Sequence, residues 1–113
     1  MLVVVIMEVR QLLLPNCMKE NKYLFTYYVG ANNRTGVVER EKLLAYLTKN
    51  GITGCTVRDS VGIWEGNQEQ SVAVEIIDDE TLTDKLVSIK TGMCELLEQK
   101  AILLTRNPVG VTW

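Results

Sequence analysis

From Ser71 to Ile77 the chain alternates. Val72, Val74 and Ile76 point one way; Ser71, Ala73 and Glu75 point the other. That period of two predicts a strand with one buried face. Lys22–Gly30 (KYLFTYYVG), rich in aromatic and β-branched residues and closed by glycine, predicts an earlier strand. Between them the period changes. In Val37–Asn50, Leu43, Leu44 and Leu47 share a face while Glu39, Arg40, Glu41, Lys42 and Lys49 lie elsewhere, and Asn50-Gly51 supplies a stop, which predicts an amphipathic helix. Thr53–Trp64 predicts a second strand, irregular near Gly62, joined by a turn over Glu65–Gln70 to the Ser71–Ile77 strand. Thr81 with Asp84 approximates a capping box, and Leu82, Leu86, Ile89, Met93 and Leu96 form the stripe of a second helix running to about Lys100. Ala101–Thr105 predicts a fourth strand, followed by an Arg106–Trp113 tail with Pro108 and Gly110 and room for a short extra strand.

This order, βαββαβ, predicts an α+β, ferredoxin-like domain: a four-stranded antiparallel sheet with both helices on one face, where right-handed crossovers place them. Such a sheet leaves its other face uncovered. The first strand carries apolar residues both ways, with Tyr23, Phe25, Tyr27 and Val29 on one side and Leu24 and Tyr28 on the other. Only one set fits under the helices, so the other predicts a subunit interface in a homo-oligomer, a trimer or a dimer, with ligand sites in clefts between subunits. The final Trp113 also calls for a surface to receive it. The chain of 113 residues is long enough for one domain, expected over 21–113. Residues 1–20 are expected to be an appendage, either a leader or an added edge strand. Their apolar runs, Leu2–Met7 and Leu12–Leu14, are interrupted by Glu8 and Arg10, lack a basic preceding region and are too short to span a bilayer.

Composition narrows the chemistry. With 47 % hydrophobic and 23 % charged residues the chain is of ordinary globular type. A net charge of −2 with scattered basic residues argues against nucleic acid or an anionic membrane as partner. Cys17, Cys55 and Cys94 are odd in number and far apart, which predicts inert, buried thiols in a reducing, cytoplasmic compartment. There is no histidine, so the usual general base, zinc ligand and Ser–His or Cys–His nucleophile pairs are excluded.

The segment Arg58–Glu69 (RDSVGIWEGNQE) gathers an arginine, two glycines, a tryptophan and three carboxylates around one hairpin. Glu69 is the foremost candidate. It precedes the buried alternation, where a carboxylate can point, partly desolvated, into a cleft that favours a cation. Asp78, Asp79 and Glu80 precede a helix and are read as structural. Asn32, Asn33 and Arg34 form a loop able to hold an anion. No phosphate-binding or dinucleotide glycine motif occurs, and neither a metal nor a cofactor is expected.

The run Gly54-Cys55-Thr56-Val57-Arg58-Asp59, then Glu69, then Ser71-Val72-Ala73-Val74, resembles the core of the bacteriophage S-adenosylmethionine-degrading enzymes, formerly called hydrolases and now lyases. With the aromatic first strand and the element order, the resemblance covers about residues 22–105. It implies a PII-like fold, a homotrimer with substrate between subunits, and residence in the host cytoplasm. It also implies intramolecular attack of the substrate's carboxylate on its own Cγ, releasing methylthioadenosine and homoserine lactone without protein nucleophile, metal or cofactor. Glu69 matches the family's active-site glutamate and is implied to orient the substrate. On this reading Arg58 and Asp59, with the irregular strand Ser60, Val61, Gly62, Ile63 and Trp64, border the substrate. The strand would offer backbone groups to adenine, and Tyr28 or Trp64 would stack on it. The same strand order also resembles the PII-type trimeric signalling proteins, which bind nucleotides between subunits without catalysis.

Overall fold

The structure is a computed structural model and describes residues 18–112. Its elements are β1 (Met18–Gly30), α1 (Arg40–Lys49), β2 (Thr56–Trp64), β3 (Asn67–Asp79), a short 3₁₀ turn (Glu80–Leu82), α2 (Thr83–Leu96) and β4 (Leu103–Thr112). The strands form one sheet in the order β2-β3-β1-β4, antiparallel throughout. This is the expected ferredoxin-like arrangement. Each helix carries the chain over one intervening strand, and the shared hand of the two crossovers puts both on the same face.

The alternation sorts the sheet as the pattern demands. Phe25, Tyr27 and Val29 of β1 and Val72, Val74 and Ile76 of β3 are buried against Leu43 and Leu47 of α1 and Leu86, Ile89 and Met93 of α2. Each such side chain contributes roughly 1.5–3 kcal/mol by leaving water. Tyr27 brings a hydroxyl into this core and satisfies it by donating to the Leu86 carbonyl at 2.5 Å. Burial, then the neighbouring Tyr46, push its phenol above the ordinary range.

Several boundaries differ from the periodic reading. β1 starts at Met18, so the sheet takes the last three residues of the expected 1–20 appendage; residues 1–17, with Cys17, lie outside the described residues, as does Trp113. A register shift between Lys19 and Lys22, with Asn21 at φ 57°, marks a bulge in this extension. The expected Glu65–Gln70 turn contracts to Glu65 and Gly66, at φ 50° and 80°, between paired Trp64 and Asn67. Two consecutive positive φ values are what a tight hairpin with native strand twist requires, and Gly66 meets that at little cost. α1 begins at Arg40 rather than Val37. α2 ends at Leu96, short of Lys100, and Glu98 at φ 51° turns the chain away from the helix. The capping box does not form: Thr81 lies in the 3₁₀ turn, and α2 has no side-chain cap bond at its start. The tail Arg106–Thr112 continues β4, an edge strand that tolerates Pro108. The expectation of buried thiols fails for Cys55, which is exposed in the loop before the edge strand β2, while Cys94 is half-buried. Among the described residues no helix is long and apolar enough to cross a membrane.

Candidate functional site

The face without helices changes character along its length. At one end it is closed by ion pairs. Lys22 holds Asp79 at 2.6 Å and Arg58 holds Glu75 at 2.6 Å, while on the helix side Arg106 approaches Glu80 at 3.6 Å and donates to Thr83 of α2. Asp79 and Glu80 are thereby held within the fold, and the Asp78 carboxylate accepts from the Asp79 backbone N–H, as a structural reading expects. Between these charges the face is apolar, with half-buried Leu24 and exposed Tyr28, Ile77 and Leu103.

At the other end lies a cavity of about 580 Å³. Its floor is the uncovered sheet face, with Tyr28 and Gly30 of β1, Ser60 and Gly62 of β2, and Glu69 and Ser71 of β3; Trp64 stands at the hairpin end. One wall is the segment from Gln99 to Leu103, between α2 and β4. The void has a simple origin in the register. Gly62 sits directly opposite Glu69, and Gly30 pairs with Ser71 one strand over. Glycine on both flanking strands removes the side chains that would fill the space.

Glu69 is half-buried, and its carboxylate occupies the place that a side chain on Gly30 would take. Among the described residues its side chain makes no hydrogen bond or ion pair. Ser60 and Ser71, nearby on the same face, bond to each other at 2.6 Å. Lys100, at the edge of the cavity, lies 3.9 Å from Glu65 of the hairpin. The chamber thus combines aromatic and aliphatic walls with one unpaired carboxylate, a setting that favours a cation with an apolar body.

The wall is fixed from behind. Asn32, buried, donates to Glu39 at 2.7 Å and to Glu98 at 3.0 Å, and its own carbonyl oxygen accepts from the backbone N–H groups of Arg34 and Thr35. Arg34 grips both oxygens of Glu98, at 3.1 and 2.8 Å. These bonds clamp the β1–α1 loop onto the end of α2. Hydrogen bonds from Arg34, then from Asn32, hold the Glu98 carboxyl down to about 2. Bonds from Asn32 and Lys42 lower that of Glu39. The Asn32–Arg34 loop is therefore committed within the protein, and the expectation that it holds an anion is corrected: Glu98 already neutralises Arg34.

Of the residues singled out in the sequence, Glu69, Ser60, Val61, Gly62, Ile63, Trp64 and Tyr28 come together at the cavity. Arg58 and Asp59 do not. Arg58 lies on the same face but opposite Ala73, where Glu75 takes its guanidinium. Asp59 has the opposite parity, faces the helices and meets Arg40 of α1. Sequence reasoning missed Gly30, Gln99 and Lys100. Gly30 appeared only as a strand terminator, and Gln99 and Lys100 as the end of a helix. Among the described residues no group of three or more His, Cys, Asp or Glu side chains is placed to hold a metal ion.

No family model matches the sequence, and no curated protein matches it. Solved structures do resemble the fold. A phage S-adenosylmethionine lyase in the apo state superposes with a TM-score of 0.59 at 15 % identity, over 80 % of this chain and 89 % of that one. A DUF3240 family protein from Shewanella baltica OS155 gives 0.58 at 10 % identity, over 80 % and 92 %. CPII, a nitrogen regulatory PII-like protein from Thiomonas intermedia K12 bound to ADP, AMP and bicarbonate, gives 0.55 at 15 % identity, over 85 % and 97 %. The chain therefore has a PII-like, ferredoxin-like fold, which proteins of several functions share.

Proposed function

We propose that this chain is an S-adenosylmethionine lyase that works as a homo-oligomer, a trimer by preference, with the cavity around Glu69 as its substrate site. The observation that carries the reading is the Glu69 carboxylate, without a partner among the described residues, in a mainly apolar chamber with Tyr28 and Trp64 on its lining. The substrate suits such a chamber: a flat purine for Tyr28 or Trp64, and a cationic amino-acid end for Glu69. Likeness in fold to a phage lyase of this substrate is consistent with it.

The reaction asks little of the protein. The substrate's carboxylate oxygen attacks its own Cγ, a C–O bond forms, the Cγ–S bond breaks, and its electron pair passes to sulfur. The products are homoserine lactone and neutral methylthioadenosine. No proton has to move and no protein atom forms a bond, so a chain without histidine meets the requirement. Nucleophile and leaving group are tethered, so holding the folded conformer supplies an orientation effect. A negative carboxylate and a positive sulfonium cancel in the transition state, so a site drier than water favours the step. Glu69 would orient the substrate rather than take a proton. Burying Leu24, Ile77 and Leu103 against a neighbouring subunit would close the open side of the site.

The test is direct. Purified protein incubated with S-adenosylmethionine is expected to release methylthioadenosine and homoserine lactone in equal amounts. Absence of both at high enzyme concentration rejects the proposal. Saturable stabilisation by ADP or ATP without any product would instead favour a PII-like nucleotide sensor. The two-residue Glu65-Gly66 connection counts against that reading, since it leaves no long loop between β2 and β3 with which to reach a partner.

A further inference from the structure

Beside Glu69 stands a second acceptor that neither the sequence pattern nor the proposed chemistry calls for. Gln99 is half-buried in the cavity wall. Its amide nitrogen donates to the Ala31 carbonyl at 2.5 Å and lies 3.5 Å from that of Leu97. With the nitrogen side engaged, the amide oxygen is turned inward. It lies 3.3 Å from the point where a Cβ on Gly30 would stand, and the Glu69 carboxylate overlaps that same point. Two acceptor oxygens, one charged and one neutral, thus converge over a glycine. Immediately before Gln99, Glu98 is tied to the β1–α1 loop by the bidentate grip of Arg34.

We infer that Glu69 and Gln99 together form the subsite for a primary ammonium group on the ligand; this rests on reading the cavity as an S-adenosylmethionine site and assigns the ligand's α-amino group to it. The argument is one of donor and acceptor matching. An ammonium carries one positive charge and three N–H donors, which a carboxylate and a carboxamide oxygen side by side can receive. A sulfonium has no N–H to give, so the Gln99 oxygen would add little for it. A phosphate or a second carboxylate would meet two acceptors and be repelled. A metal ion would find one carboxylate and one amide oxygen, too few ligands for a dedicated site. Gly30 is the third member, because a side chain there would displace the Glu69 oxygen and crowd that of Gln99. Anchoring the ammonium fixes the ligand's Cα and leaves its carboxylate free to swing toward Cγ. Gln99 then determines which ligands are accepted, and Glu69 contributes charge to the same contact.

The probe is S-adenosylhomocysteine, which keeps the amine but cannot react as a sulfonium, compared with its deamino analogue. Titration calorimetry on the wild-type protein is expected to show the amine-bearing ligand binding about 10- to 100-fold more tightly, the size of a hydrogen bond to a charged group. Gln99→Leu should reduce that preference several-fold, and Gly30→Ala, which keeps both polar residues but pushes the Glu69 oxygen aside and crowds that of Gln99, should reduce it at least as much. Equal affinity of the wild type for the two ligands overturns the inference, as does binding of neither, or a preference unchanged in both folded variants. The wild-type comparison needs no variant, so misfolding cannot rescue the idea. Product assays run alongside separate the two claims. Amine preference without methylthioadenosine release rejects the lyase and keeps the subsite; release without amine preference does the reverse.

Discussion

Glu69 and Glu75 share a strand and a face of the sheet, yet their surroundings are opposite. Glu75 has Thr56 of β2 and Thr26 of β1 beside it, and Arg58 reaches over to hold it at 2.6 Å. Glu69 has Gly62 on one side and Gly30 close by on the other, and no side chain to pair with among the described residues. The residue type is the same, so what differs is the volume and charge of the cross-strand neighbours. Where the adjacent strands supply side chains and one arginine within reach, the carboxylate becomes part of the scaffold. Where they are glycines, the carboxylate gains a cavity and keeps its charge uncompensated, which on this face marks a place for an external cation.

The sharpest way to break this contrast is to neutralise each carboxylate in turn. Glu69→Gln is expected to lower methylthioadenosine release by well over tenfold while leaving the urea midpoint nearly unchanged, because no partner is orphaned. Glu75→Gln is expected to do the opposite. It leaves turnover within about twofold and costs up to about 1 kcal/mol, the usual range for an ion pair whose arginine is largely exposed. If both variants lose activity alike, the division of the face into scaffold and site is wrong.

A second test asks whether the closed half of the face is an interface. Ile77 is 45 % exposed on it, next to Leu24 in the register. Ile77→Lys places a charge there without touching the cavity around Glu69. It is expected to lower the mass measured by sedimentation to that of a single chain and to reduce turnover with it, since the site would lose its neighbour. A wild-type protein that sediments as a monomer at working concentrations would remove the oligomer from the proposal.

These contrasts also show how far the residues could be read in advance. The core face was legible because Val72, Val74 and Ile76 keep a strict period of two, and the helices because their leucines keep a period near 3.6. The hairpin tip was not, since Glu65-Gly66 is a weaker signal than Asn-Gly and the polar run Asn67–Gln70 looks like loop. That misreading matters for the site, because only the two-residue turn sets Gly62 opposite Glu69. Arg58 and Asp59 were grouped with the hairpin by proximity in sequence. Parity separates Asp59 from it, and a cross-strand partner holds Arg58. Gln99 could not be found from periodicity, because it enters the cavity through a positive φ at Glu98 that ends α2 early.

Arg58 offers a smaller test of the same point. If it belongs to the scaffold, Arg58→Ala should leave turnover within about twofold and lower stability by no more than about 1 kcal/mol, as for other exposed pairs. Restoring partial charge with Arg58→Lys should recover part of that cost, though a lysine loses the planar fork. A large fall in turnover with unchanged stability would put Arg58 back in the site.

The finest distinction lies behind the cavity wall, where Glu98 is paired as fully as Glu69 is not. Hydrogen bonds from Arg34 and Asn32 lower the Glu98 carboxyl from 4.5 to about 2, and Glu39 is lowered beside it. A carboxylate easier to ionise in the folded chain than in the unfolded one stabilises the fold fully above the unfolded value. That contribution fades as pH falls from about 4.5 toward 2. Acid unfolding of the wild type should therefore steepen across that window, and Glu98→Gln should flatten it. Solvent and salt screen so exposed a cluster, so the change in slope is small and should shrink further at high ionic strength. At neutral pH the same variant should loosen the segment that carries Gln99 while leaving Glu69 in place. Amide exchange around residues 98–101 is expected to rise in Glu98→Gln, and ligand affinity to fall more than the maximal rate. An unchanged exchange pattern would mean that the wall stands without its clamp.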